Sequence, residues 1–367
     1  MKLVVFGLSV SSSWGNGHAV LWRALIRAFA AQGHWTVFFE HDVPYYAHNR
    51  DLIEIEGGRL VLYPGWDEIA AEARRELADA DAAMVTSYCP DALASTRLVL
   101  DSPGLHVFYD LDSPVTLARL AAGERVDYIG PQGLAPFDLV LSYTGGGAMT
   151  ALREQLGARR VAPLYGSVDP ERYRPAPVPA GDRAALSYLG TYAADRQQAL
   201  QRLFLDPARL RPKQRFVIGG AQYPPDFPWR ANIFFERHVM PPEHPRFYAA
   251  ARSTLNITRA AMAASGWCPS GRLFEAAACA VPVVSDWWPG LDEFFVPGQE
   301  ILVAHTTADV LAALDRDDAE LARIGAAARE RALSEHTAER RAAELASLLF
   351  GAGAESPDLP RRQQLEA

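Results

Sequence analysis

Residues 265–286 read S-G-W-C-P-S-G-R-L-F-E-A-A-A-C-A-V-P-V-V-S-D, and this stretch predicts a loop, a helix and a buried strand in succession. Pro269-Ser270-Gly271 contains residue types that cap or open a helix, and the alanine-rich run that follows to Cys279 favours a compact helix. Val281–Ser285 has the β-branched apolar composition of a buried strand. The stretch therefore predicts one loop, helix and strand unit of an α/β fold.

The start of this helix has the chemistry of an anion site. With Ser270 at the cap, the first backbone N–H groups from Gly271 onward are free to bind an anion, and Arg272 adds a positive charge beside them. Glu275 lies three residues after Arg272, so both side chains rise from one helical face. The loop can therefore hold a phosphate, with a carboxylate placed to accept hydrogen bonds from two ribose hydroxyls. A solvated surface ion pair between Arg272 and Glu275 is the alternative.

Composition excludes several classes of protein. The chain of 367 residues is long enough for two domains with separate cores. A formal net charge of −8 gives no basic surface for nucleic acid. No apolar run reaches the ~18 residues of a spanning helix, so only peripheral membrane contact stays open. Three scattered cysteines provide no disulfide framework, and we expect a cytoplasmic protein.

The first half of the chain alternates strands and helices. Predicted strands at Leu3–Phe6 and Thr36–Glu40 flank a helix at Ala19–Gln32, which indicates a parallel βαβ unit. Further short apolar strands are predicted at Leu60–Tyr63, Ala82–Thr86, His106–Tyr109 and Leu139–Ser142. Residues 1–168 therefore read as one doubly wound domain.

The pattern restarts after a proline-rich linker, which we place at residues 169–182. Residues 183–335 read as a second α/β domain, with strands predicted at Leu186–Leu189, Arg215–Ile218, Thr254–Ile257, Val281–Ser285 and Ile301–Val303. Helical composition continues from Asp309 to Phe350, with residues 336–350 as the last helix. Residues 351–367 read as a frayed tail.

The opening stretch resembles the nucleotide-sugar end of GT-B fold glycosyltransferases, most closely the CgeB-like group, which is similar to GT4 enzymes. Glu275, the small-residue run Ala276–Ala280 and the strand residues Val281–Val284 carry the resemblance, which continues to Val303. The resemblance implies two Rossmann-like domains facing across a cleft, with the last helix packed back on the first domain. Retaining members usually carry a second Glu eight positions before Glu275, where this chain has Trp267.

The resemblance also assigns roles in the first domain. Gly15, Gly17 and His18 resemble the acceptor-side loop, and a histidine at a helix N-terminus stays neutral, as a general base near pH 7 requires. The alternative is that His18 only caps the helix, with Trp14 packed over it. Asp110, at a strand end, is a second candidate for the catalytic base.

The triplet Asp110-Leu111-Asp112 also has alternatives. It matches a D-x-D metal motif, but D-x-D recurs at residues 79–81 and 315–317 in segments that read as ordinary surface, so no metal site is predicted. Asp112 is alternatively a cap for a helix at Val115–Ala121.

In the second domain, the resemblance assigns Gly190, Thr191 and Arg196 to the diphosphate, with Arg196 stabilising the leaving group. A plain surface pair between Asp195 and Arg196 is the alternative. Gly219-Gly220 and residues 238–241 lie where relatives hold the nucleobase.

Together these features predict a metal-independent glycosyltransferase, with EC 2.4 type chemistry, that needs no cofactor beyond a nucleoside-diphosphate sugar donor. Its acceptor is a small molecule or glycan hydroxyl. Two alternatives stay open: a nucleotide-sugar epimerase of the same fold and a non-catalytic nucleotide-sugar-binding protein. Incubation with the donor alone distinguishes the epimerase from the transferase.

Overall fold

The computed structural model describes residues 1–177 and 183–355. The first domain contains a seven-stranded sheet in the order β3-β2-β1-β4-β5-β6-β7, with every pair of neighbours parallel. The strands are β1 (Lys2–Gly7), β2 (Trp35–His41), β3 (Gly58–Tyr63), β4 (Ala82–Thr86), β5 (Leu105–Asp110), β6 (Leu139–Ser142) and β7 (Val161–Pro163). The strand order reverses between β1 and β4, which is where ligands bind outside the carboxyl ends of such sheets.

Helices cover both faces of this sheet, so its inner strands β1, β2, β4, β5 and β6 are buried on both sides. They are α1 (Gly17–Ala31), α2 (Pro44–Ala47), α3 (Trp66–Leu77), α4 (Ala92–Leu100), α5 (Ser113–Ala121) and α6 (Gly147–Leu156). Trp22 and Phe29 on one stripe of α1 pack into the core with Val5 and Phe38 of the sheet.

The second domain repeats the design with a six-stranded parallel sheet in the order β10-β9-β8-β11-β12-β13. The strands are β8 (Ala184–Leu189), β9 (Phe216–Gly220), β10 (Ile233–Arg237), β11 (Ala251–Asn256), β12 (Val283–Ser285) and β13 (Leu302–Val303). The helices are α7 (Gln197–Leu200), α8 (Asp206–Leu210), α9 (His244–Ala249), α10 (Ala260–Ser265), α11 (Gly271–Ala278), α12 (Leu291–Phe294), α13 (Thr307–Leu314), α14 (Asp318–Glu335) and α15 (Ala338–Glu355). A π-helical turn joins α7 to α8.

The two doubly wound domains confirm the predicted α/β architecture. The region expected to be helical from Asp309 to Phe350 consists of three helices, and Asp317 caps α14 by accepting a hydrogen bond from the Glu320 N–H. The last helix begins at Ala338 and not at residue 336, because residues 336–337 pair with Val168 of the interdomain crossing. It continues past Gly351, where we had expected a tail, to Glu355. Residues 178–182 of the predicted linker and 356–367 of the predicted tail lie outside the described residues.

Helix α15 leaves the second domain and packs on α1 of the first. Leu345 and Leu349 are buried in this contact, and the Gln32 side chain donates a hydrogen bond to the Glu339 carbonyl at 2.8 Å. In the described part of the chain, no helix is long and apolar enough to cross a membrane.

Candidate functional site

A cleft of about 540 Å³ lies between the carboxyl ends of the two sheets. This volume is within the range of about 300–1,000 Å³ that is common for small-molecule sites. The structure brings ten of the eleven predicted site residues to its walls: Gly15, Gly17, His18, Gly190, Thr191, Arg196, Ser270, Gly271, Arg272 and Glu275.

Two helices begin at the cleft, one from each domain. Helix α1 begins at Gly17 and α11 at Gly271, and in the described chain neither preceding residue, Asn16 or Ser270, caps its helix through its side chain. Their first N–H groups therefore present positive potential to the cleft. A Cβ at Gly271 would lie 3.2 Å from Leu21 of α1, so glycine lets the two helices approach closely.

The loop between β1 and α1 is held by a buried carboxylate. Glu40 on β2, 1% exposed, accepts hydrogen bonds from the Val10 N–H at 2.7 Å and the Ser11 N–H at 2.9 Å. It also accepts from the Ser11 hydroxyl at 2.6 Å. These bonds order the glycine- and serine-rich loop that leads to Gly15 and His18.

On the opposite wall, the ends of β8 and β9 approach each other at glycines. A Cβ on Gly220 would lie 2.1 Å from the Gly190 carbonyl oxygen, so no other residue type fits there without movement. Thr191 follows directly, and its carbonyl oxygen accepts a hydrogen bond from Arg196 at 3.2 Å.

Three arginines converge on this wall. Arg272 is fixed by donating to the Leu189 carbonyl at 2.6 Å, the Ile257 carbonyl at 3.3 Å and the Ser270 hydroxyl at 3.1 Å. Arg196 also lines the cleft, and its buried Nε has no partner among the residues that the structure describes. Burial lowers the pKa of Arg196, and the neighbouring guanidinium groups of Arg272 and Arg259 act in the same direction. Such a cluster of like charges favours a bound anion.

Arg259 was not predicted from the sequence. It lines the cleft just after β11 and forms an ion pair with Asp195 at 3.3 Å. The alternative of a surface pair between Asp195 and Arg196 is therefore wrong, since Asp195 pairs with Arg259. The position of Arg259 shortly after the end of β11 was the available signal.

Glu275 is a buried carboxylate and not half of a surface ion pair, since it is 6% exposed. Tyr248 donates to its Oε2 at 3.0 Å, and His244 Nδ1 lies 3.4 Å from the same oxygen. Burial alone would raise the pKa of Glu275, but His244, Tyr248 and Arg272 together lower it. The carboxylate is therefore ionised at the cleft.

His18 is the second residue of α1, and its ring meets Tyr143 edge-on with centroids 5.5 Å apart. Burial lowers the pKa of His18, while the nearby Asp112 carboxylate partly opposes that effect. A neutral imidazole at the cleft is the outcome. Trp14 packs on His238 of the second domain and not over His18 as the alternative supposed; the Trp14 and His238 rings are tilted, with centroids 4.5 Å apart.

Asp110 lies beneath the cleft and not on its wall. Its side chain is fully buried, accepts from the Asp112 N–H and the Thr116 hydroxyl, both at 3.1 Å, and has no partner for Oδ2 within the described ranges. Burial raises the pKa of Asp110 to about 6. The structure thus offers no access between Asp110 and an acceptor.

Asp112 takes the position that the sequence assigned to Asp110. It lines the cleft, and its Oδ2 accepts from the Tyr88 hydroxyl at 3.1 Å. Asp112 is the N-terminal flanking residue of α5, yet in the described structure its carboxylate does not cap that helix. Sequence analysis did not distinguish the two aspartates because both lie at the end of the same strand.

Trp267, at the position where retaining relatives carry a Glu, packs against glycines of both domains. A Cβ on Gly146 would lie 2.3 Å from its ring, and one on Gly290 would lie 2.6 Å away.

Of the residues expected to hold a nucleobase, Gly220, His238, Val239 and Pro241 line the cleft. Within residues 1–177 and 183–355, no group of three or more His, Cys, Asp or Glu side chains is placed to hold a metal ion.

Comparisons with known proteins agree with this fold. Residues 196–347 match the family model described as glycosyl transferase-like. No curated protein matches the sequence significantly. Among solved structures, sucrose-phosphate synthase from Thermosynechococcus elongatus has a TM-score of 0.71 at 15% identity, covering 97% of this chain and 100% of that chain.

Two further structures are similar. HepE from Anabaena, in complex with UDP-glucose, has a TM-score of 0.67 at 14% identity, with 96% of this chain and 100% of that chain covered. A glycosyltransferase from Rickettsia africae has a TM-score of 0.61 at 10% identity, with 97% and 99% covered. At these identities the likeness shows the fold, and it confirms the GT-B arrangement of two facing Rossmann-like domains.

Proposed function

We propose that this protein transfers a glycosyl group from a nucleoside-diphosphate sugar to an acceptor hydroxyl. The observation that carries the proposal is the asymmetry of the cleft. Arg196, Arg259, Arg272 and the start of α11 line the second-domain wall, while His18 and Asp112 line the facing wall. A diphosphate leaving group suits the first wall, and an acceptor hydroxyl that must lose a proton suits the second.

The comparisons support the same reaction class. The glycosyl transferase-like model covers the domain that carries Arg196, Arg259, Arg272 and Glu275. HepE, which has the same fold, is described in complex with UDP-glucose. We therefore propose a nucleoside diphosphate as the leaving group, with Glu275 accepting hydrogen bonds from the ribose hydroxyls.

Metal independence is part of the proposal. In the transition state, negative charge develops on the leaving diphosphate, and guanidinium groups and helix N-termini can balance it. Arg196 and Arg272 lie where they can supply that charge, with Arg272 fixed by three hydrogen bonds. We also propose that the chain is a member of the CgeB-like group, on the basis of Glu275 and the strand residues after it. We propose a cytoplasmic location because its three cysteines are free.

The test begins with a thermal-shift panel of nucleoside diphosphates, because a ligand that binds only the folded state raises its apparent stability. The nucleotide that binds identifies the donor base, and the corresponding nucleotide sugars are then incubated with acceptor mixtures in excess EDTA. We expect diphosphate release that depends on an acceptor and persists in EDTA. Conversion of the donor sugar without any acceptor would support an epimerase. Binding of the nucleotide sugar without turnover would support a non-catalytic protein. Restoration of activity by Mg²⁺ or Mn²⁺ would contradict metal independence.

A further inference from the structure

The chain crosses between the domains through residues 164–177, and this crossing brings one tyrosine to the second-domain site. Tyr173 is 3% exposed, and its hydroxyl lies 3.1 Å from Nδ1 of His244. Oε2 of Glu275 lies 3.4 Å from the same nitrogen, and this carboxylate, after burial, raises the pKa of Tyr173 further. The crossing therefore contacts His244, the neighbour of the carboxylate to which ribose binding is assigned.

His244 is held on two sides. Its Nε2 lies 3.2 Å from the Val239 carbonyl oxygen, and its Nδ1 lies 3.4 Å from Oε2 of Glu275. Because a carbonyl oxygen can only accept, Nε2 carries a proton and the ring orientation is fixed. Val239, His244 and Glu275 all line the cleft, so His244 connects two parts of its wall. On the side that faces the crossing, the Tyr173 hydroxyl contacts Nδ1 of His244.

The other end of the crossing is anchored to the first domain and to α15. The Tyr173 N–H donates to the Asp169 carbonyl at 2.8 Å, and the Asp169 carboxylate forms an ion pair with Arg27 of α1 at 2.5 Å. Val168 exchanges backbone hydrogen bonds with His336 and Ala338 at 2.9 and 2.8 Å. Tyr173 is therefore fixed relative to α1, the helix that carries His18 at its start.

We propose that Tyr173 is a positioning residue that fixes the His244 ring, and through it holds the Glu275 carboxylate in the orientation that accepts hydrogen bonds from the ribose hydroxyls. The inference rests on the proposed function, because it presumes a nucleotide at Glu275. A carboxylate whose neighbouring side chains are fixed presents its free oxygen at a defined angle, whereas one whose neighbour can move must be ordered when the ligand binds. The interdomain crossing is thus part of the donor site.

The test compares UDP with 2′,3′-dideoxy-UDP by calorimetry on the full chain. Tyr173→Phe removes only the hydroxyl, and we expect it to weaken UDP binding by roughly 3- to 10-fold, the effect of one hydrogen bond. Dideoxy-UDP lacks the ribose hydroxyls that would donate hydrogen bonds to Glu275. The wild type and the variant should therefore bind dideoxy-UDP with equal affinity. This difference between the two ligands separates positioning of Glu275 from general loosening of the domain.

Two further variants complete the experiment. Tyr63→Phe is the matched control, because Tyr63 is also buried, at 2% exposure, and donates to a carboxylate, Asp91, at 2.9 Å elsewhere in the first domain. We expect no change in UDP affinity from it. His244→Gln should weaken UDP binding, and combining it with Tyr173→Phe should cost less than the sum of the two single changes.

Equal losses for both ligands, or no loss for UDP, would overturn the positioning role while leaving the proposed function intact. A wild-type protein that binds no nucleoside diphosphate would overturn the proposed function itself, and this inference with it.

Discussion

The indole of Trp267 lies directly against Gly146, so that a Cβ added at Gly146 would be 2.3 Å from Cε3 of the ring. A backbone hydrogen bond joins the same two segments, since the Gly145 N–H donates to the Trp267 carbonyl at 2.9 Å. Gly146 precedes α6 of the first domain, whereas Trp267 belongs to the loop before α11 of the second. The residue that replaces the expected Glu is therefore an interdomain contact.

Replacing Gly146 with Ala should destabilise the protein markedly. Gly146 has φ +56°, which L side chains rarely adopt, and the new methyl would overlap the Trp267 ring. We expect a loss of roughly 2 kcal/mol or more in the free energy of unfolding, measured by urea denaturation. The control is Gly147→Ala at the first position of α6, where no described atom lies within 4 Å of the added Cβ. Equal stability of the two variants would argue against the contact.

Replacing Glu275 with Gln should weaken the binding of UDP, or of whichever nucleoside diphosphate the thermal-shift panel selects. Charge-assisted hydrogen bonds contribute about 1.5–3 kcal/mol each, so a tenfold or greater loss is expected by calorimetry. Glu236→Gln on the exposed strand β10 is the control and should leave affinity unchanged. If Glu275→Gln binds UDP normally with its circular dichroism intact, Glu275 is not part of the nucleotide site.

Replacing Arg196 with Met should discriminate between ligands with and without a diphosphate. The guanidinium lines the cleft beside Thr191, so its loss should weaken UDP binding roughly 10- to 100-fold and leave uridine binding little changed. Arg259→Met should act in the same direction. Arg230→Met, an exposed change, serves as the control. An equal loss for UDP and uridine would place Arg196 away from the diphosphate.

The sequence predicted the buried strands because parallel strands covered on both faces are continuous apolar runs. It missed β10, whose residues Phe234 to Arg237 are exposed at the sheet edge and give no such run. It also missed β7, which is three residues long. Loop signals predicted ten residues that the structure brings to one cleft, since helix starts and strand ends are local features.

What the sequence could not provide are contacts between distant residues. Asp110 and Asp112 follow the same strand, and only the packing of Thr116 and Tyr88 shows which carboxylate is buried and which lines the cleft. Tyr173 reaches His244 from a position 71 residues earlier, in a segment that reads as linker. No periodic pattern records such a contact.

Asp110 should make stability depend on pH. Its pKa is raised by burial from 3.8 to about 6, so the folded state binds more protons than the unfolded state between these values. Stability therefore falls as pH rises from about 4 to about 6 and then levels off, a cost of about 3 kcal/mol at pH 7. Asp110→Asn should recover roughly 1–3 kcal/mol at pH 7 and less at pH 4.5, measured by urea unfolding.

Turnover should also survive the Asp110→Asn change, because Asp110 lies beneath the cleft wall. A folded Asp110→Asn variant without activity would instead give Asp110 a part in the chemistry. Equal stabilisation at both pH values would show that the raised pKa is not the cause.

The last prediction is that the reaction inverts the anomeric centre, with His18 as the base. Inversion by a single displacement needs a proton acceptor on the face opposite the leaving group, and His18 lies across the cleft from the arginines. Trp267 cannot replace the carboxylate of retaining relatives, because an indole offers one N–H donor and no acidic oxygen. His18→Ala should lower kcat by roughly 10²- to 10⁴-fold and leave UDP affinity intact. Since burial lowers the pKa of His18 from 6.5, the wild-type base should stay deprotonated somewhat below pH 6.5. The value of kcat should therefore not yet fall at pH 6.5. NMR of the product's anomeric proton reports the stereochemistry; retention would refute inversion, and a near-normal rate in His18→Ala would remove His18 as the base.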